Sequence, residues 1–287
     1  QKLSDLDASF LYLETDNSPM LIGGLYVFDS RQRQTPMDFG EFSSFIESRL
    51  HVARFFRQRL VEVPLKLDQP YWVDDPEFEL SKHLSHVTLQ GKDKDSQLTE
   101  LAAELFSQSL NRDRPLWSIT FIDGLKDDPN LPNNGFAMVV RIHHAAIDAL
   151  SGDEVMSTLL DFSETPQRVS DAKAWNPAPL PGKFRLIGGA YGNALSTPFR
   201  LANLAKETAA STFYSALLQR IHRLNLPPAL FSAPKTPFNN IISGKRALHY
   251  IEIPLERIKN IRKEIDDSTI NDVVMGICAE ALHQYLN

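Results

Sequence analysis

Residues 135–160 read GFAMVVRIHHAAIDALSGDEVMSTLL, and this stretch decides the fold. From Gly135 to Ile142 it is apolar apart from Arg141, the pattern of a strand covered on both faces. Ser151-x-x-Glu154 then forms a capping box that opens a helix. The order is strand, polar loop, helix. His143 and His144 are neighbours, so on an extended backbone their side chains point to opposite faces and only one can face a given cleft. A free imidazole titrates near about 6.5, which lets a neutral histidine accept a proton at neutral pH from a rigid strand end. The other reading is a pair of structural histidines satisfied by backbone carbonyls.

Outward from this stretch, helices alternate with strands. LSDLDASFLYLE (3–14) reads as a helix and LIGGLYVF (21–28) as a strand. From Asp38 to Val52, Phe39, Phe42, Phe45, Ile46 and Leu50 recur at helical spacing and give one apolar face. Short strands are expected at Pro70–Val73, Val87–Leu89, Ile119–Leu125 and Phe136–Ile142, with a helix over Gln97–Leu110. The loop DDPNLPNNG (127–135) predicts an antiparallel hairpin between the last two strands, so the sheet is expected to be mixed. After Phe162, SETPQRVSDAKAWNPAPLPGK carries four of the eighteen prolines and reads as a linker or a surface crossover. A Gly-containing turn at Ser243-Gly244, a strand at Leu248–Ile253 and two further helices follow. The last of these runs to Asn287 without a stop signal, as if a longer protein continued. The expected organisation is an N-terminal domain over 1–165, a Pro-rich linker and basic helical crossover over 166–246, and the start of a second domain over 247–287.

The chain has 287 residues, 30 Lys+Arg against 36 Asp+Glu, and 43% hydrophobic residues, which excludes a disordered or fibrous protein. Its net charge of -6 argues against a nucleic-acid partner. The single cysteine, Cys278, excludes an internal disulfide framework and a cysteine-rich zinc site, and fits a reducing compartment. Cys278 sits in the apolar run VVMGICAEAL, where a buried, inert thiol is expected. His83-x-x-His86 has no further ligand beside it in sequence and reads as a surface pair, so no metal is expected. No G-x-S-x-G, H-E-x-x-H, G-x-x-x-x-G-K-[ST] or G-x-G-x-x-G is present. Residues 183–223 hold six bases against Glu207, a local +5. This segment suits an anionic membrane or lipid-droplet surface, a crossover helix packed on its own protein, or the phosphates of CoA.

HHAAIDAL resembles the HHxxxDG motif of the chloramphenicol-acetyltransferase-like, CoA-dependent acyltransferases. Pro115-Leu116-Trp117, Asn271-Asp272, the opening LSDLDASFLYLE and the turn SGKRAL narrow the resemblance to the bacterial wax ester synthase/diacylglycerol acyltransferases. The family's Gly after the aspartate is Ala149 here. The resemblance implies a mixed α/β sheet flanked by helices, with a helical crossover leading to a second, similar domain that lies largely beyond this chain. It also implies transfer of a fatty acyl group from acyl-CoA, a substrate rather than a cofactor, to a fatty alcohol or diacylglycerol. The enzyme would be cytoplasmic or peripheral to the inner membrane or lipid droplets. In this reading His144 is the base, His143 its neighbour, Asp148 a structural support and Asn271 the donor to the carbonyl oxygen. Thr269-x-x-Asp272 also fits a capping box, and Pro115, Leu116 and Trp117 carry no reactive group and read as packing residues. Two alternatives stay open: a related acyltransferase using a carrier-bound donor or a short alcohol, and a non-catalytic lipid-binding module.

Overall fold

The computed structural model describes residues 1–146, 159–161, 175–180, 182, 188 and 235–286. The chain divides into two units, Gln1–Asn225 with Ile242–Ala247, and Leu226–Ile241 with Leu248–Asn287. In the first unit, α1 (Asp5–Leu13) starts where the Ser4 hydroxyl accepts from the Asp7 N–H, and it leads into β1 (Leu21–Asp29). Next, α2 (Phe39–Arg49) is capped by the Asp38 carboxylate, which accepts from the Glu41 N–H at 2.8 Å. There follow β2 (Gln58–Val61), β3 (Tyr71–Asp74), β4 (Leu84–Thr88), α3 (Lys94–Phe106), β5 (Trp117–Asp123) and β6 (Gly135–His143). The helix α3 begins earlier than its apolar spacing predicts, because Asp93 at φ 56° turns the chain into it just after Gly91 at φ 77°.

The main sheet has the order β1-β6-β5-β4. β4 and β5 are parallel, joined through α3, whereas β6 runs antiparallel to both β5 and β1. The sheet is therefore mixed, and β5–β6 is the hairpin that the Asp/Pro/Asn loop predicts. β6 is central, which explains why it is apolar apart from Arg141: both of its faces are covered. Phe136, Met138, Val140 and Ile142 join a core with Ala8 and Leu11 of α1 and Phe42 and Ile46 of α2. The intervening Ala137 and Val139 face the other way, the side on which α3 packs. Each large apolar side chain removed from water here is worth about 1.5–3 kcal/mol.

Gly23 of β1 lies opposite Arg141 of β6, and a Cβ on it would come within 1.8 Å of the Val140 carbonyl oxygen. A backbone atom cannot yield as a side-chain tip can. Gly23→Ala is expected to cost about 1–3 kcal/mol or more by forcing β1 off β6. A drop in the urea midpoint at unchanged m-value checks it, and an unchanged midpoint contradicts the close approach.

The second unit holds α4 (Leu255–Lys263) and α5 (Ile270–Leu286). The expected strand at Leu248–Ile253 is not one: the segment has no ladder partner among the described residues, and a strand exists only through pairing. Cys278 is exposed rather than buried, and Val273 is the buried residue of α5. No helix among the described residues is long and apolar enough to cross a membrane.

Candidate functional site

His143 closes β6 and His144 opens a short 3-10 turn, His144–Ala146. Their backbones are held from both sides. The His143 N–H donates to the Leu116 carbonyl at 3.0 Å, and the His144 N–H donates to the Met20 carbonyl at 2.8 Å, just before β1. The two rings then diverge. His143 is 1% exposed, while His144 is only partly covered, its ring stacked on Phe10 of α1 at 4.6 Å between centroids. His144 is the one of the pair that can meet a ligand.

His143 is a structural neighbour with a defined tautomer. Its Nδ1 accepts from the Ala145 N–H at 3.0 Å, so the ring proton resides on Nε2. Nε2 lies 3.7 Å from Glu14 Oε2, too far for a hydrogen bond, and has no other partner among the described residues. Burial pushes the His143 pKa down to about 4, with the nearby Arg112 and His144 acting in the same direction and Glu14 against it. His143 is uncharged at neutral pH. Between about 6.5 and about 4 an unfolded chain carries the proton and the native one does not, so this group's contribution is full above 6.5 and is lost on acidification towards 4. The loss is on the order of 3 kcal/mol. His143→Asn should flatten that part of the stability-versus-pH curve, measured by denaturant melts. The same slope in the variant would show that His143 is not the source.

Glu14 and Arg112 complete the surroundings of His143. Glu14 follows the last residue of α1, and its side chain is 7% exposed. Its Oε2 accepts from Arg112 Nε at 3.1 Å and from Arg112 Nη2 at 2.6 Å, and Nη2 also donates to the Leu11 carbonyl at 2.7 Å. Phe10 lies in the last turn of α1 and Glu14 caps that turn, its N–H donating to the Phe10 carbonyl, so one helix end faces both histidines. Neither Phe10, Glu14 nor Arg112 stands out in sequence. The four-residue spacing of Phe10 and Glu14 just before the β1 strand was the available signal.

The other sequence-predicted positions distribute as follows. Asp148, Ala149 and the Ser151–Glu154 capping box lie outside the described residues, as does nearly all of the basic segment 183–223. Pro115, Leu116 and Trp117 are buried, and the Trp117 indole N–H donates to the Phe56 carbonyl at 2.9 Å. Asn271 is exposed in the first turn of α5, in the second unit. Asp272 caps that helix: its Oδ2 accepts from the Thr269 N–H and hydroxyl at 2.7 Å each, and the Asp272 N–H donates to Thr269 Oγ1 at 3.2 Å. Those bonds from Thr269 hold its carboxyl below the usual range. His83 is not a surface residue. It is 4% exposed, stacked against Trp117 at 4.6 Å with Nδ1 at 2.9 Å from the Trp117 carbonyl, and burial lowers its pKa. His86 instead pairs with Asp123 at 2.8 Å. A polar cleft of about 300 Å³ beside His83 is lined by Arg59, Asp75, Glu77, Lys82 and Arg114, and it includes neither His143 nor His144. Among the described residues no group of three His, Cys, Asp or Glu side chains gathers as a metal site.

Residues 3–274 match the family described as the wax ester synthase/diacylglycerol acyltransferase catalytic domain. A Mycobacterium tuberculosis protein named as a candidate diacylglycerol O-acyltransferase is 31% identical over 297 residues, covering 100% of this chain and 55% of its own length. Another from the same organism, named as a probable diacylglycerol O-acyltransferase, is 30% identical over 283 residues, covering 98% of this chain and 59% of its own. Among solved structures, the wax ester synthase/diacylglycerol acyltransferase from Marinobacter aquaeolei VT8 superposes with a TM-score of 0.60 at 25% identity, covering 100% of this chain and 61% of that one. The chain thus spans little more than half the length of the relatives it matches.

Proposed function

We propose, for a chain that belongs to the wax ester synthase/diacylglycerol acyltransferase family, that the full protein is an O-acyltransferase moving a long-chain fatty acyl group from acyl-CoA to a fatty alcohol or diacylglycerol. The observation that carries this reading is the unequal histidine pair: a buried, neutral His143 beside a partly exposed His144 fixed at the end of a central strand. His144 takes the proton of the lipid hydroxyl as that oxygen attacks the thioester carbonyl. The C–O bond forms, the C–S bond breaks, and the imidazolium returns the proton to the departing CoA sulfur. No covalent enzyme intermediate is needed. Asn271 is proposed to donate to the developing oxyanion and Asp148 to shape the loop after His144. Acyl-CoA is consumed as a substrate, so the scheme uses no cofactor. The partner surfaces are the C-terminal half of the same protein and, through the basic segment 183–223, a membrane or lipid-droplet surface.

The test is acceptor-dependent CoA release by the full-length protein with palmitoyl-CoA and hexadecanol, a diacylglycerol, or a short alcohol in parallel. Release with the long-chain acceptors is expected. Release with short alcohols alone favours a related acyltransferase, and none with any acceptor favours a lipid-binding module.

A further inference from the structure

The loop that carries His144 is held from beneath by a group of buried polar atoms that the reaction scheme leaves without a role. His143 Nδ1 accepts from the Ala145 N–H and so closes the turn in which His144 sits. It can do so only while the ring proton stays on Nε2. Had the proton moved to Nδ1, two N–H groups would face each other at 3.0 Å and the turn would open. The group facing Nε2 is Glu14, whose Oε2 is 3.7 Å away and whose Oε1 is buried with no hydrogen-bond partner among the described residues. A buried carboxylate in that place needs a counter-charge, and Arg112 supplies it through two hydrogen bonds.

We propose that Glu14 is a positioning residue for acyl transfer: its carboxylate, neutralised by Arg112, holds His143 in the Nε2–H tautomer, and His143 in turn locks the turn that presents His144. The inference rests on His144 acting in acyl transfer. Glu14 touches no reacting atom. Its effect reaches the chemistry through the direction of one N–H, as a carboxylate behind a histidine fixes a tautomer in other sites. The groups facing His143 also act on its charge: Glu14 favours a second proton on the ring, while Arg112 and His144 oppose it.

The experiment uses the full-length protein with histidine-selective 15N labelling, comparing the parent with Glu14→Ala, Glu14→Gln and Arg112→Ala, each checked for folding by near-UV circular dichroism. In the parent, His143 should show one neutral Nε2–H tautomer through neutral pH. In Glu14→Ala the tautomer should become mixed and kcat should fall about 10- to 100-fold with KM for acyl-CoA nearly unchanged, the scale of a small misplacement. Glu14→Gln keeps the partial negative charge of an amide oxygen opposite Nε2–H and should recover part of the loss. Arg112→Ala removes a positive charge that opposes protonation of His143 and leaves the carboxylate uncompensated, so the His143 titration should move upward. An unchanged tautomer in Glu14→Ala, or a mixed tautomer with unchanged kcat, overturns the proposal. A parent without acceptor-dependent CoA release overturns the acyl-transfer reading alone, and the tautomer measurement still decides whether Glu14 governs His143.

Discussion

Replacing Trp117 by alanine is expected to remove about 3–5 kcal/mol of folding stability, the cost of emptying a large aromatic site in a packed core. The ring is 2% exposed, meets Phe56 edge-on at 5.2 Å and stacks on His83 at 4.6 Å. Its N–H satisfies the Phe56 carbonyl, so the variant leaves a cavity and an orphaned acceptor together. Trp117 also begins β5 opposite Ile142, and the preceding Leu116 carbonyl accepts the His143 N–H. The damage therefore lies beside the histidine pair. Trp117→Phe keeps most of the packing and should lose about 1–3 kcal/mol, mainly through the unmet carbonyl. Urea unfolding checks both, and an alanine variant within about 1 kcal/mol of the parent would contradict the packing described.

The elements around β6 were legible because local pattern and tertiary placement agree there. A nearly continuous apolar run signals a strand covered on both faces, and the Asp/Pro/Asn loop after β5 signals a hairpin. Both are present. Leu248–Ile253 has an equally extended pattern but no partner among the described residues, and pairing is a non-local event that no single segment encodes. The apolar run around Cys278 predicts burial, but an apolar helical run need not be covered on every face, and Cys278 lies on an exposed one. His83 misled in the opposite sense: its spacing to His86 suggested a surface pair, whereas the 3-10 turn Leu80–Lys82 places it under Trp117. At the candidate site, adjacency alone indicated that His143 and His144 would face apart. The Glu14–Arg112 pair could not be read, since its members are 98 residues apart and only the folded first unit brings the end of α1 to the loop before β5.

The largest expected effect belongs to His144. Phe10 supports its ring, Met20 holds its backbone and His143 closes its turn, so truncation to alanine removes the imidazole while leaving the strand end in place. The ring is only partly buried, and its loss should cost little stability. A proton-accepting group contributes about 10²- to 10⁴-fold in rate, and the loss should appear in kcat and in kcat/KM alike because the proton is in flight only in the transition state. The decisive measurement is acceptor-dependent CoA release from palmitoyl-CoA and hexadecanol by the full-length protein and by its folded His144→Ala variant. A fall of about 10²-fold or more in the variant is the predicted result. Turnover within a few-fold of the parent would contradict His144 as the base and move the chemistry to another residue.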